Sequence, residues 1–252
     1  MTEEAPLPER QKGLPQNHRT VDRVSDILEQ VTYNPGMTFS QLTRKVGGAK
    51  SSLHGFISGL LARGWLHQSE GRFYLGPTMY SLTMASGHEA SRIVTNDDLR
   101  ALHLATGLPV FLGVRAGESL VYISGAGQDP VVSYEARTNI RRVMLNTAGG
   151  LVMLAHEPLD QRTSFLARRP ADEAPLIAGF LSQYDAIHSR GYAVNHRASA
   201  DRFALAACVL SSRGGPIASV TIVGKTADVQ PRETELAAIL VQHARNWNQR
   251  AV

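Results

Sequence analysis

Lys50, Ser51, Ser52, His54 and Ser58 lie among Leu53, Phe56, Ile57, Leu60 and Leu61, apolar residues that recur at helical spacing. An amphipathic helix follows, with the polar groups on its open face. Serine hydroxyls and an imidazole can hydrogen-bond to base edges or phosphates, and a lysine can neutralise phosphate. The same face carries Gly55 and Gly59, which are poor helix formers. Small residues make sense where a helix must come close to the floor of a DNA groove.

The flanking residues supply the elements that such a helix needs. Val21, Val24, Ile27, Leu28 and Val31 form a helical stripe over about 19–33, ended by the turn residues YNPG at 33–36. Thr38 opens a short second helix, with Gln41 spaced for a capping box. The pair Gly47-Gly48 breaks it, a third helix runs over about 49–62, and Gly64 stops that one. WLHQSE and RFYLG then flank Glu70-Gly71 as a small hairpin. Two helices across a tight turn followed by a hairpin make a winged helix-turn-helix. Arg72 on the wing and Arg19 near the first helix are candidate phosphate contacts. Residues 38–75 hold Arg44, Lys45, Lys50, Arg63 and Arg72 against Glu70 alone, which accounts for the whole net charge of +4.

These stretches carry a resemblance. HRTVDRVSDILEQV (18–31), TFSQLTRKVGGAKSSLHGFISGLLARGWL (38–66) and GRFYLGPTMYSL (71–82) resemble the N-terminal domain of IclR-family transcriptional regulators, and the likeness continues more weakly to the end of the chain. It implies an α+β protein of two domains. A winged helix-turn-helix over 19–79 is joined by a linker helix over 80–97 to a GAF-like antiparallel sheet with flanking helices over 98–252. Residues 1–18, polar and proline-containing, are expected to be a disordered tail. One departure stands out: Gly55 occupies a place where the family usually has arginine.

The larger half alternates strand-like and helical runs. Residues 80 to about 106 read as helical, interrupted near Gly87, with Thr95 starting a capped segment. Strands are expected at 109–115, 119–124, 131–136, 192–195, 203–211 and 217–224, and helices near 148–156, 160–168 and 176–190. Pro231 is expected to open a closing amphipathic helix.

Enzymatic signatures are missing. GKT at 224–226 lacks the glycine five positions earlier that a phosphate loop needs, since Ser219 stands there, and no helix is expected directly after it. There is no G-x-S-x-G elbow. The nine histidines show no metal-ligand spacing. The single cysteine, Cys208, lies within an apolar strand, so neither a disulfide nor a cysteine metal site is expected. No apolar run reaches membrane-spanning length.

The resemblance also implies an effector pocket, lined here by Leu145, Thr147, Ala148, Gly149, Gly150, Asn195, Ala204, Thr221 and Val223. The amides of Thr147–Gly150 begin a helix and suit a carboxylate. Family members commonly have histidine at 145, lysine at 151, an acid at 195, cysteine at 204 and serines at 221 and 223. The replacements here are Leu145, Leu151, Asn195, Ala204, Thr221 and Val223, so an apolar or aromatic ligand carrying one carboxylate is expected. The alternative is a vestigial pocket that is simply packed. The reading is a cytoplasmic, homodimeric or homotetrameric regulator that binds double-stranded DNA and a small effector. It needs no cofactor or metal, contacts no membrane and is not an enzyme. The rivals are a small-molecule hydrolase or transferase with an accessory winged helix, and a winged helix that binds protein.

Overall fold

The computed structural model describes residues 18–86, 89–128 and 141–250. The chain divides into two units with the boundary between Gly76 and Pro77, three residues ahead of the expected one. The expected strand at 131–136, the interruption at Gly87 and all but the last residue of the expected tail lie outside the described residues.

In the smaller unit, α1 (Arg19–Tyr33), β1 (Met37–Thr38), α2 (Phe39–Val46) and α3 (Lys50–Ala62) precede β2 (Leu66–Ser69) and β3 (Arg72–Leu75). Ile27, Val31, Leu42, Leu53, Ile57, Leu60 and Phe73 close one apolar core. β3 lies between β1 and β2, both antiparallel to it. Each boundary has a local cause. Thr38 Oγ1 accepts from the Gln41 amide while Gln41 Oε1 accepts from the Thr38 amide, a complete capping box. After α3, the Gly64 amide donates to Leu61 O and the Trp65 amide to Leu60 O, with Gly64 at φ +67°. This is the Schellman arrangement, and glycine takes the left-handed position without a Cβ penalty. The hairpin turns on Glu70 and Gly71, both at positive φ, as a two-residue turn matched to strand twist requires.

The turn between α2 and α3 is held from outside. Gly47 and Gly48 both have positive φ, and Arg23 of α1 donates from Nη1 to Gly47 O at 2.8 Å. A Cβ on Gly48 would fall 1.9 Å from that nitrogen. One arginine therefore locks the angle between the two helices, and the second glycine leaves room for it.

The larger unit begins with α4 (Pro77–Ser86), α5 (Glu89–Ile93) and α6 (Asn96–Thr106). Thr95 caps α6 in a reciprocal pairing with Asp98. The sheet order is β6-β5-β4-β9-β8-β7, antiparallel throughout: β4 Val110–Ala116, β5 Ser119–Ala126, β6 Arg141–Val143, β7 Ala193–Arg197, β8 Arg202–Leu210 and β9 Pro216–Gly224. On one face lie α6 and α11 (Glu233–Asn248), packed on Val110, Leu205 and Val220 with Trp247 of α11 buried among them. On the other lie α7 (Ala148–His156), α8 (Leu159–Ala167) and α9 (Ala174–Arg190). Strand β8 shows why FALAACVL is an unbroken apolar run. Phe203, Leu205, Ala207 and Val209 enter the first core, Ala206 and Cys208 enter the second, and both faces are covered. Burial pushes the Cys208 thiol up, far from the reactive range.

Two expectations change here. A short helix, α10 (Thr226–Val229), does begin within GKT, but its first amide, from Thr226, donates to Asp201 Oδ1 at 3.3 Å. A carboxylate occupies the place a phosphate would need, and Ser219 is fully buried in β9. Pro231 lies in a 3-10 turn, Gln230–Arg232, and α11 starts after it at Glu233.

Gly48→Ala combines a left-handed backbone with displacement of the Arg23 guanidinium, so a loss of about 1–2 kcal/mol is expected. Denaturant unfolding read from Trp65 fluorescence in a Trp247→Phe background would measure it in the smaller unit.

Candidate functional site

Helix α3 begins without a side-chain cap. Its N-cap is Ala49, its first turn holds no acid, and Lys50, Ser51 and Ser52 are exposed there. Uncapped amides and the positive end of the helix dipole suit an anion such as phosphate. Ser52 borders a cleft with Arg19, Thr20 and Arg23, so the fold brings two of the expected residues together from separate helices. His54 is exposed but its ring meets Phe39 edge-on at 6.0 Å, which fixes its direction. Ser58 is exposed one turn further on. At Gly55 and Gly59 an added Cβ would meet nothing within 4 Å, so no internal packing accounts for either glycine. Arg72 lies apart from this face. It donates to Gly36 O at 2.8 Å and borders a cleft with Arg44 and Lys45.

In the larger unit, a cavity of about 70 Å³ opens on the sheet face that carries α7. A water site needs about 10–15 Å³, so this is room for a single substituted ring. Thr147, Ala148, Asn195, Ala204, Thr221 and Val223 line it together. Strand register explains three of them, because Val223, Ala204 and Asn195 stand side by side across β9, β8 and β7.

Three expected residues do not line this cavity. Leu145 borders a neighbouring cleft with Leu151 and Phe180. Gly149 and Gly150 are buried packing positions. A Cβ on Gly149 would lie 2.6 Å from Ser219 Oγ, and one on Gly150 would lie 2.1 Å from Met144 O. Gly149 lets α7 sit directly on β9, and Gly150 lets it close on the turn before it. The Gly150 amide is also taken, since it donates to Thr147 Oγ1 at 3.0 Å.

The lining is less apolar than expected, and the residues responsible were not anticipated. Phe111 and Tyr122 form one wall, ring centroids 5.4 Å apart, and Arg142, Asn146, Arg197 and Arg202 complete the lining. Burial pushes the Tyr122 hydroxyl up, partly offset by the Thr221 hydroxyl and by Arg142 and Arg197. Ser219 Oγ, beneath Gly149, is buried with no hydrogen-bond partner among the described residues. Arg197 and Arg202 face each other directly across β7 and β8. A signal for both was available: alternation along a strand puts Arg197 on the side of Asn195, and Arg202 on the side of Ala204.

A two-helix turn with a wing, followed by a two-faced antiparallel sheet with a ligand-sized cavity, defines a DNA-binding regulator with a sensing domain. Residues 20–70 match the IclR helix-turn-helix domain, and residues 88–248 match the bacterial transcriptional regulator IclR C-terminal domain. The chain belongs to the IclR family of transcriptional regulators, with a DNA-binding helix-turn-helix and a C-terminal effector-binding domain. It is 24% identical over 222 residues to the HTH-type transcriptional regulator BhcR of Paracoccus denitrificans, covering 82% of this chain and 78% of that protein. The fold is shared with the Thermotoga maritima IclR structure at TM-score 0.66 and 20% identity, covering 92% of this chain and 98% of that one. It is also shared with an IclR homolog from Microbacterium hydrocarbonoxydans, solved in complex with 4-hydroxybenzoate, at TM-score 0.69 and 19% identity, covering the same fractions.

Ser219→Ala removes a buried hydroxyl that lacks a partner, so stability is expected to hold or to rise by about 1 kcal/mol. Gly149→Ala is expected to lose at least about 2 kcal/mol by overpacking, and adding Ser219→Ala to recover part of it. Denaturant midpoints of the three variants test both statements.

Proposed function

We propose that α3 reads an operator in the major groove and that the cavity on the sheet binds an aromatic carboxylate whose presence changes operator affinity. Lys50, Ser51, Ser52, His54 and Ser58 contact bases and phosphates, and Arg19 and Arg72 contact phosphates. The chain acts as a homodimer or homotetramer, because one helix reads too few base pairs for specific binding. It works in the cytoplasm without cofactor, metal or catalysis. Among the described residues no helix is long and apolar enough to cross a membrane, and no group of three or more metal-ligating side chains is found.

The observation that carries the ligand class is the Arg197–Arg202 pair across β7 and β8, with Arg142 on the same cavity. Three guanidinium groups line one small cavity, and arginine binds carboxylate bidentately. Phe111 and Tyr122 supply an apolar wall for a ring. Thr221 adds a buried hydroxyl to the lining, beside Tyr122. The ligand's charge is thus held by strand-borne arginines, not by the amides of α7. Effector and operator affinities are then coupled reciprocally.

Thermal unfolding with 4-hydroxybenzoate and benzoate tests this reading. Stabilisation is expected to grow as RT ln(1 + [L]/Kd), about 2.7 kcal/mol at one hundred times Kd. Phenol is expected to stabilise far less, and Arg197→Gln to lose the response to the acids. Equal stabilisation by acids and phenol, or none by any of them, would refute the ligand class.

Gly55→Ala separates stability from DNA recognition. The alanine is expected to stabilise α3 by about 0.5–1 kcal/mol, because an added Cβ meets open space. Operator affinity is expected to fall, because the helix can no longer approach as closely. Melting temperature and operator binding measured on one preparation give both signs.

A further inference from the structure

The positive charge of the smaller unit extends beyond α3. Arg44 and Lys45, in the last turn of α2, are exposed and form no ion pair among the described residues. They line a cleft of about 440 Å³ with Gln41, Arg72 and the turn at 34–37. Among the described residues no acidic side chain lines this cleft. Arg72 reaches it from the first position of β3, and its bond to Gly36 O holds the guanidinium in place. One of its donors is used there, and the others remain for a ligand. Arg44 also borders a second cleft with Ser40, Thr43 and Lys50. The cations therefore run without interruption from the wing, over the end of α2, to the uncapped start of α3.

We propose that Arg44, Lys45 and Arg72 clamp a backbone phosphate of duplex DNA, a second grip separate from the face of α3. It rests on the DNA-binding reading and deepens it. Arg44 and Lys45 also complement the dipole at the end of α2, but that role leaves the shared cleft with Arg72 unexplained. A fixed guanidinium beside two exposed cations suits a phosphodiester oxygen pair, with charge supplied from two elements. Such a contact carries no sequence information. It fixes the register of the unit on the duplex, so that the small residues of α3 meet the intended base pairs.

The test uses the full chain and an operator fragment selected from random duplex DNA, with affinities measured across a salt series. Arg44→Gln and Lys45→Gln are each expected to weaken operator and unrelated duplex by the same factor. The slope of log affinity against log salt is expected to fall by about one per charge removed. Arg44→Lys is expected to keep the slope, and Lys225→Gln in the larger unit to change neither quantity, so loss of net charge alone is controlled. Melting curves of the glutamine variants check that the unit remains folded. An unchanged slope in both glutamine variants overturns the clamp and leaves the α3 reading intact. Altered sequence preference also overturns it, because the residues would then be reading bases. Absence of any duplex binding by the unaltered chain sinks the DNA-binding reading itself, and the clamp with it.

Discussion

The missing side chains at Gly149 and Gly150 govern the architecture of the larger unit. With Cβ positions 2.6 Å from Ser219 Oγ and 2.1 Å from Met144 O, no other residue lets α7 rest on β9 and on the turn before it. The sheet answers with small residues alongside, Cys208 and Ala206 of β8 opposite Ser219 and Thr221. Further in, α7 continues through Leu151, Val152, Met153 and Leu154, all buried. The cavity lies at the edge of this close contact, where α7 begins and its seal against the sheet ends. Thr147 holds that beginning by capping the Gly150 amide.

A similar economy shapes the smaller unit, with a different purpose. Gly48 makes room for Arg23, whose bond to Gly47 O sets the turn between α2 and α3. Gly55 and Gly59 make room for nothing inside the protein. Glycine inside a helix is a cost in stability, and a cost without internal return points to something outside. The uncapped start of α3 is a second cost of the same kind. Both concern α3, the helix proposed to read DNA.

The electrostatics of the cavity run against the simplest expectation. Substituting apolar residues at 145, 151 and 223 was expected to leave a pocket with little charge. The charge enters instead through β6, β7 and β8, as Arg142, Arg197 and Arg202. Leu145 and Leu151 instead border a neighbouring cleft. Position in a shared motif therefore did not predict which wall a side chain joins. Elsewhere the same unit pairs its ions: Arg115 donates to Glu157 at 2.8 Å, and Glu118 accepts from Arg168 and Arg169, joining the β4–β5 hairpin to α7 and α8.

Local rules wrote the smaller unit almost completely into the sequence. Thr38 with Gln41, the stop at Gly64 and the Glu70-Gly71 hairpin each depend on neighbours only a few residues away, and the Gly47-Gly48 break is legible from its two glycines although Arg23, 24 residues earlier, holds it. The other described helices and strands of the larger unit were legible for the same reason, apart from β6, α10 and the true start of α11. Their partners were not. Arg197 meets Arg202, and Phe111 meets Tyr122, through strand pairings that periodicity alone does not assign. Gly149 and Gly150 looked like a ligand cradle because a helix start with glycines offers amides. The distances to Ser219 and Met144 turned them into packing positions. Sequence determined which segments form and which faces they bury, because propensity, capping and alternation act locally. Tertiary structure decided which side chains share a cavity, because that depends on register and on how closely two backbones can approach.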